Sequence, residues 1–388
     1  MTPAAFVLWG CALLVVYVWA GYPGLLWALA CPTRDPDRSA SPRRGSEEVP
    51  SVTIVVAVYN EEAALPAKLE DCLRASYPRN KLDVMVASDG SMDGTVRIGN
   101  EFARRDGRVD VYVQEKRTGK TAVQNAAVRR ARGDVIVFSD VDTRFDVRFL
   151  ERLTEPFADR RVGCVTGALV WTNPAESAVS SGGDVYWHYE HFIWRLESRL
   201  GMLAWASGAC LAVRREIFQP METQYGEDCI IPLDVVALGY RVVFQPEAVA
   251  YEARITDAGA ELRARVRMTL RSFAGTVSRA QLLNPLRFPR VAWAILSHKL
   301  LRWLTPYFLL LLFAANVSLV DRSFYRVTLG VQTGFYLIGA IGYVLDRYRV
   351  RVPVLSTIYA FCLMNLGVSV GVAKAILGHR VVAYRSEG

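Results

Sequence analysis

Apolar residues are massed at the two ends of this chain, and only the middle alternates between short β-rich runs and amphipathic stretches. Residues 4–30, 304–320, 327–345 and 352–377 are apolar blocks that approach or exceed the roughly 20 residues needed to cross a bilayer. They are read as spans. In the middle, residues 52–58 and 135–139 are β-branched or apolar runs read as buried strands, and 82–88 and 109–114 are read as two further strands. Helical patterns follow at 63–75, 96–105 and 120–131. Strands alternating with helices predict an α/β domain with a mostly parallel sheet and ligands beyond the strands' carboxyl ends. Further on, 163–171 reads as a strand, 186–200 as an aromatic-rich helix, 230–238 as a helix closed by Gly239, and 241–244 and 248–251 as short strands. Residues 261–281 carry Arg263, Arg265, Arg267, Arg271 and Arg279 among apolar residues, the pattern of a helix lying on a membrane surface. The same is expected of 291–303, with Trp293 and Trp303 at headgroup depth and His298, Lys299 and Arg302 on the polar side. The expected organisation is a span in 1–32, a basic Pro/Ser-rich linker in 33–50, an α/β domain in 51–258, interfacial helices in 259–303, about three spans in 304–378 and a tail in 379–388.

Composition agrees with a folded domain joined to membrane segments. Among 388 residues, 52% are hydrophobic and 22% charged, too apolar for an ordinary soluble enzyme and too charged for a bare helical bundle. No basic stretch precedes Phe6 and the first block is long for a cleaved leader, so it is read as a retained span. Arg34, Arg38, Arg43 and Arg44 follow it, and positive charge marks the cytoplasmic side. Lys299 and Arg302, and later Arg347, Arg349 and Arg351, put the starts of the second and fourth spans on that side too, with the short loop 321–326 outside. This count leaves the C-terminus outside, against Lys374, Arg380 and Arg385. A last segment, 359–377, that dips in and returns or lies along the interface would reconcile the two. The net charge of +8 sits mostly near the spans, where anionic lipid rather than nucleic acid is the expected partner. Seven cysteines without short paired spacings give neither a zinc site nor a disulfide framework.

The polar residues directly after the strands are the candidate chemistry. The run VIVFSDVD, 135–142, ends in Asp140 and Asp142, which alternation places on one side of the strand end. Such a pair is either solvated in a turn or relieved of its repulsion by a proton or a divalent metal. Tyr59 offers a flat face for a base, and Asp89 an acceptor for an imide N–H or ribose hydroxyls, although Asp-Gly is also ordinary turn chemistry. Gly119-Lys120-Thr121 ends like a P-loop, but Gln114 stands where the first glycine belongs. Lys120 at a helix start can still meet a phosphate. The small residues around Gly208 suit close approach by a ligand. Glu227 and Asp228 open a helix, where acids also serve as caps.

Taken together, AVYNEE, SDGSMDGT, GKTAVQNAA, FSDVD, SGACLAVRR and GEDCIIPLDVVALGYRV, in this order, resemble a family 2 glycosyltransferase of the membrane-embedded kind that includes hyaluronan, chitin, cellulose and poly-N-acetylglucosamine synthases. The resemblance covers about residues 52–303. It implies a GT-A fold, a Rossmann-like, mostly parallel sheet, that binds a nucleotide sugar, most often linked to UDP, at the cytoplasmic membrane face. Tyr59 and Glu61 would line the nucleoside pocket, Asp89 would bind the uracil and Lys120 would contact the diphosphate side. Asp140 would lie near ribose and metal, and Asp142 on the Mg²⁺ or Mn²⁺ bridging the diphosphate. Asp228 matches the second acid of the family's Glu-Asp pair and would be the base for an inverting transfer to a saccharide or lipid acceptor. Two departures stand out. Residues 264–268 keep an arginine, Arg267, but lack the Gln and Trp of the polymer synthases' Gln-x-x-Arg-Trp, which puts processivity in doubt and leaves Arg263 and Arg265 as rivals for the phosphate role. Ala57 replaces a proline found in many relatives.

Overall fold

The computed structural model describes residues 2–31, 49–172, 178–253, 257–348, 350 and 352–381. Arg34, Arg38, Arg43, Arg44, Arg349, Arg351 and Arg385 lie outside them, as do most of the linker and of the tail.

The strands in chain order are Val52–Val58 (β1), Leu82–Asp89 (β2), Val109–Gln114 (β3), Val135–Ser139 (β4), Arg144–Phe145 (β5), Val162–Trp171 (β6), Leu211–Arg214 (β7) and Arg241–Glu252 (β8). They form one eight-stranded sheet in the order β3-β2-β1-β4-β7-β6-β8-β5. From β3 to β4 every pairing is parallel. Beyond β4 the sheet is mixed, because β7 runs antiparallel to both neighbours and β5 antiparallel to β8. The two short strands expected at 241–244 and 248–251 are one strand, β8, with an irregularity in its pairing opposite Gly167 and Ala168. Helices Leu65–Arg74 (α2), Thr95–Arg105 (α3) and Lys120–Arg130 (α4) make the crossovers, and a short helix, Phe149–Thr154 (α5), follows β5. Strand order reverses between β1 and β4, and a crevice opens at such a switch point outside the strand ends.

Among the described residues four helices are long and apolar enough to cross a membrane: Pro3–Ala30 (α1), Pro289–Ser318 (α9), Ser323–Arg347 (α10) and Pro353–Ile376 (α11). Two expectations change here. The stretch 291–303 is the first half of α9, joined to the rest through a π-helical turn at Ile295–Leu300, and α11 is unbroken, so 359–377 does not dip in and return.

His298 and Arg302 do not face a headgroup layer. They are buried against the helix Ala178–Arg199 (α6), where Glu197 takes hydrogen bonds from Tyr22 at 2.6 Å and His298 at 2.8 Å, and Glu190 meets His298, Lys299 and Arg302. Charges withdrawn from water need such partners. The domain is thereby tied to α1 and α9 through polar groups. The basic helix Ala258–Ser278 (α8) lies along α11, and the contact is made at glycines. A Cβ on Gly371 would sit 2.7 Å from Thr269 Cβ and 2.9 Å from the Val266 carbonyl, and one on Gly367 2.9 Å from Arg265 Cβ.

Gly371→Val should therefore force α8 from α11. Overpacking of this kind costs about 1–3 kcal/mol, so thermal unfolding in detergent should show Tm lowered by several degrees, although valine improves local helix propensity over glycine. An unchanged or higher Tm would contradict the close approach.

Candidate active site

The crevice is built from loops that stitch to one another. After β1, Asn60 takes a left-handed conformation (φ 56°), and its side-chain oxygen accepts from the Met92 N–H at 2.8 Å. The Glu61 N–H donates to Thr95 Oγ1 at 2.8 Å and the Glu62 N–H to Asp93 at 3.1 Å. The loops after β1 and β2 therefore move together. Tyr59 is half-buried at this edge, with the Arg117 guanidinium 3.8 Å over its ring.

Asp89 is buried, and its two oxygens accept the backbone N–H groups of Thr118 at 2.7 Å and Gly119 at 2.8 Å. The structure thus places Asp89 as the clasp of the loop leading into α4. Gly119, at φ 100°, allows the turn that delivers Lys120. The Lys120 ammonium lies 2.5 Å from Asp140 and 2.6 Å from Glu227, joining the end of β4 to the helix Glu227–Ala237 (α7).

Around that ammonium the acids are set to different protonation states. Burial alone would raise the Glu227 carboxyl, but Lys120 and Arg271 outweigh it and hold it down at about 2. Next to it, burial and the Glu227 charge push Asp228 up to about 6. Asp228 is half-buried, and its carboxylate takes no hydrogen bond from the protein among the described residues. Two glycines leave room for this pair. A Cβ on Gly208 would come within 3.1 Å of Glu227 Oε1, and one on Gly226 within 2.2 Å of Asp228 Oδ1. Asp142 opens to solvent at the mouth of the crevice, yet protein around its other sides and the charge of Asp140 raise its carboxyl.

Lys68, Glu252 and Arg271 were not among the candidates. Lys68, fully buried on α2, donates to Ser139 Oγ at 2.8 Å and to the Thr143 carbonyl at 2.7 Å, bracketing the turn that carries Asp140 and Asp142. From the same helix Asp71 accepts the Phe145 N–H at 2.9 Å. Burial lowers the Lys68 pKa. Glu252, the last residue of β8, is a third acid near the pair: burial, then the charges of Asp140 and Asp142, push it up to about 8. On α8 the contact with the acid-bearing segment is made by Arg271, which donates to the Tyr225 carbonyl and to Thr121 Oγ1 at 2.9 Å. Arg267 stands one turn earlier, and Arg265 turns to Glu261 at 2.8 Å. Arg271 lay in plain view in the basic stripe. Lys68 gave no local signal, since a lysine on an amphipathic helix reads as surface.

Among the described residues no group of three or more His, Cys, Asp or Glu is placed to hold a metal alone. Asp140 and Asp142 fit a cation that shares its remaining positions with substrate phosphates and water, the usual mode for Mg²⁺.

A family model described as glycosyl transferase family 2 matches residues 53–220. An N-acetylglucosaminyltransferase of Mesorhizobium japonicum is 31% identical over 273 residues, 66% of this chain and 63% of that protein. One of Rhizobium leguminosarum bv. trifolii is 35% identical over 132 residues, 33% of this chain and 72% of that protein. This chain thus spans somewhat less than two thirds of the Mesorhizobium relative's length. A mannosyltransferase from Pyrobaculum calidifontis, solved in complex with GDP-Man and Mn²⁺, shares the fold with a TM-score of 0.69 at 20% identity, over 95% of this chain and 98% of that one.

Lys68→Met should leave the buried Ser139 hydroxyl without its donor and the Thr143 carbonyl with Arg144 Nη1 at 3.2 Å alone. An unpaired buried group costs about 1–3 kcal/mol, so denaturant unfolding should show a loss of roughly 1–3 kcal/mol, against little for a solvated lysine such as Lys116.

Proposed function

The chain belongs to glycosyl transferase family 2, and from that premise we propose that it is an inverting, metal-dependent β-glycosyltransferase, using a UDP-sugar at the cytoplasmic membrane face to extend a saccharide. The observation that carries this reading is the Lys120 ammonium held between Asp140 and Glu227, with the half-free Asp228 beside it. It supports a donor station and an acceptor base on opposite sides of one cation.

In this reading the crevice edge at Tyr59 and Glu61 receives the nucleoside, and Asp89 contributes by fixing the Gly119 loop as well as through its remaining lone pairs. Lys120 meets the diphosphate. Asp140 and Asp142 hold the metal, which when bound supplies charge neutralisation for the departing diphosphate. Asp228 Oδ takes the proton of the acceptor hydroxyl as that oxygen attacks the anomeric carbon from the face opposite the leaving group, inverting the centre. Glu227, kept ionised, fixes Lys120 and raises Asp228. Arg271 secures the Tyr225 carbonyl just before the acid pair, and Arg267 lies one turn away for the phosphate or acceptor side. The names of the relatives make an N-acetylglucosamine donor the first to try. A lipid acceptor is the second reading, supported by the missing Gln and Trp at 264–268 and by the cationic flank of α8 and α9 between the spans.

Transfer should need ionised Asp228. The rate should be level above about pH 6 and fall toward tenfold per unit below it, measured as nucleotide release from a panel of UDP-sugars with Mg²⁺ or Mn²⁺. Asp228→Asn should cost about 10²–10⁴ in rate with the fold kept. Gly226→Ala should also lose most activity, because its Cβ displaces the Asp228 carboxylate and not the backbone. Chelation by EDTA should abolish transfer while leaving Tm nearly unchanged. Full activity in EDTA, or in Asp228→Asn, would contradict the roles assigned.

A further inference from the structure

Among the helices on the membrane side of the acid pair lies a cavity of about 70 Å³ that the reaction above leaves unused. Its lining has two characters. Arg265 of α8 and Lys299 and Arg302 of α9 make it cationic, while Phe361, Met364 and Val368 recur at helical spacing on α11 and make it apolar. Trp19, from the π-helical turn of α1, also lines it.

Buried donors without acceptors gather here. Among the described residues, Nε of Arg265, Nε and Nη2 of Arg302 and Nε1 of Trp19 find no hydrogen-bond partner, and all belong to residues lining this one cavity. Arg302 is only 8% exposed. A buried donor left unpaired is destabilising, and every group lacking here is an acceptor. The nearby carboxylates engage only part of each guanidinium: Glu190 meets Arg302 Nη1, and Glu261 meets Arg265 Nη2 at 2.8 Å. The rings of Trp19 and Tyr189, 4.9 and 5.0 Å from the Arg302 guanidinium, orient it, and the Tyr189 hydroxyl beside it donates to the Trp19 carbonyl at 2.9 Å. A saccharide donates about as often as it accepts and leaves this need half met. A phosphate presents acceptor oxygens in a geometry that matches a guanidinium fork.

We propose that this cavity binds the phosphate or diphosphate group of a lipid-anchored acceptor, with the apolar chain running along α11. The proposal rests on the glycosyltransferase reading and names the class of its acceptor. Position supports it. Thr269 of α8 lines the cavity, and the same helix, on another face, carries Arg271 to Thr121 and the Tyr225 carbonyl beside the acid pair. Lys299 lies close enough for its charge to act on Asp228. An acceptor held by its phosphate here is presented to the base.

The full chain in nanodiscs of zwitterionic lipid tests this by equilibrium binding of a radiolabelled polyprenyl phosphate, with the polyprenol of equal chain length and inorganic phosphate as separate arms. The polyprenyl phosphate should bind about tenfold or more tighter than the polyprenol, and inorganic phosphate should compete weakly. Arg302→Lys and Arg265→Lys keep their charge for Glu190 and Glu261 but lose the fork, and each should weaken phosphate-lipid binding about tenfold. Equal binding of the phosphate and the alcohol, inorganic phosphate binding as tightly as the lipid, or unaltered binding in both variants would overturn the proposal. Should the variants fail to fold by thermal unfolding, the phosphate-against-alcohol comparison on the unaltered chain decides alone. UDP-sugar binding is read on the same preparations. Its loss with lipid binding kept counts against the proposed function and not against this cavity, and indifference to the lipid phosphate with UDP-sugar binding intact does the reverse.

Discussion

Repulsion among like charges is the constraint around which this crevice is arranged. Asp140, Asp142, Glu227, Asp228 and Glu252 converge because a switch in strand order directs several chain segments to one place. Left alone, such a cluster would take up protons until most of its charge was gone. Instead Lys120 sits between Asp140 and Glu227, Arg271 adds its charge at Glu227, and Lys68 lies under the Asp140 turn. These cations are unequally shared, so neighbouring carboxyls are driven apart, to about 2 for Glu227 and about 6 for Asp228. Pairs of acids separated in this way mark the division of labour between electrostatic support and proton transfer.

What was readable from the sequence was local. Strands β1, β2 and β4 declare themselves as apolar runs buried on both faces and β3 as an alternating strand at the sheet edge, and the residues just past the strand ends, Tyr59, Asp89 and Asp140 among them, follow from the rule that such ends form a crevice. What escaped depends on contacts between distant segments. Lys68 meets Ser139 across 71 positions and Thr143 across 75, and nothing in the periodicity of α2 distinguishes it from a surface lysine. Arg271 contacts the acid-bearing segment through the packing of α8 beside α7, which the spacing of the basic stripe does not reveal. Asp89 was legible as a site residue but not as the clasp of the Gly119 loop, since backbone N–H groups leave no trace in composition.

The membrane side failed in a similar way. His298 and Arg302 have the look of headgroup residues, flanked by Trp293 and Trp303. Their burial follows from Glu190 and Glu197, about a hundred residues earlier on α6. Because Tyr22 of α1 shares Glu197 with His298, α1 and α9 meet on the same carboxylate, and the α/β domain is fastened to both by polar bonds whose strength grows as water is excluded.

The seating of α8 on α11 has a mechanical consequence. Backbones that meet at Gly367 and Gly371 with no room for a methyl group fix the register of the two helices. α11 is long and apolar enough to cross a membrane, and α8 reaches from it, through Arg271, to the Tyr225 carbonyl just before the acid pair. The apolar helix and the acid-bearing segment are therefore braced against each other by one intervening helix.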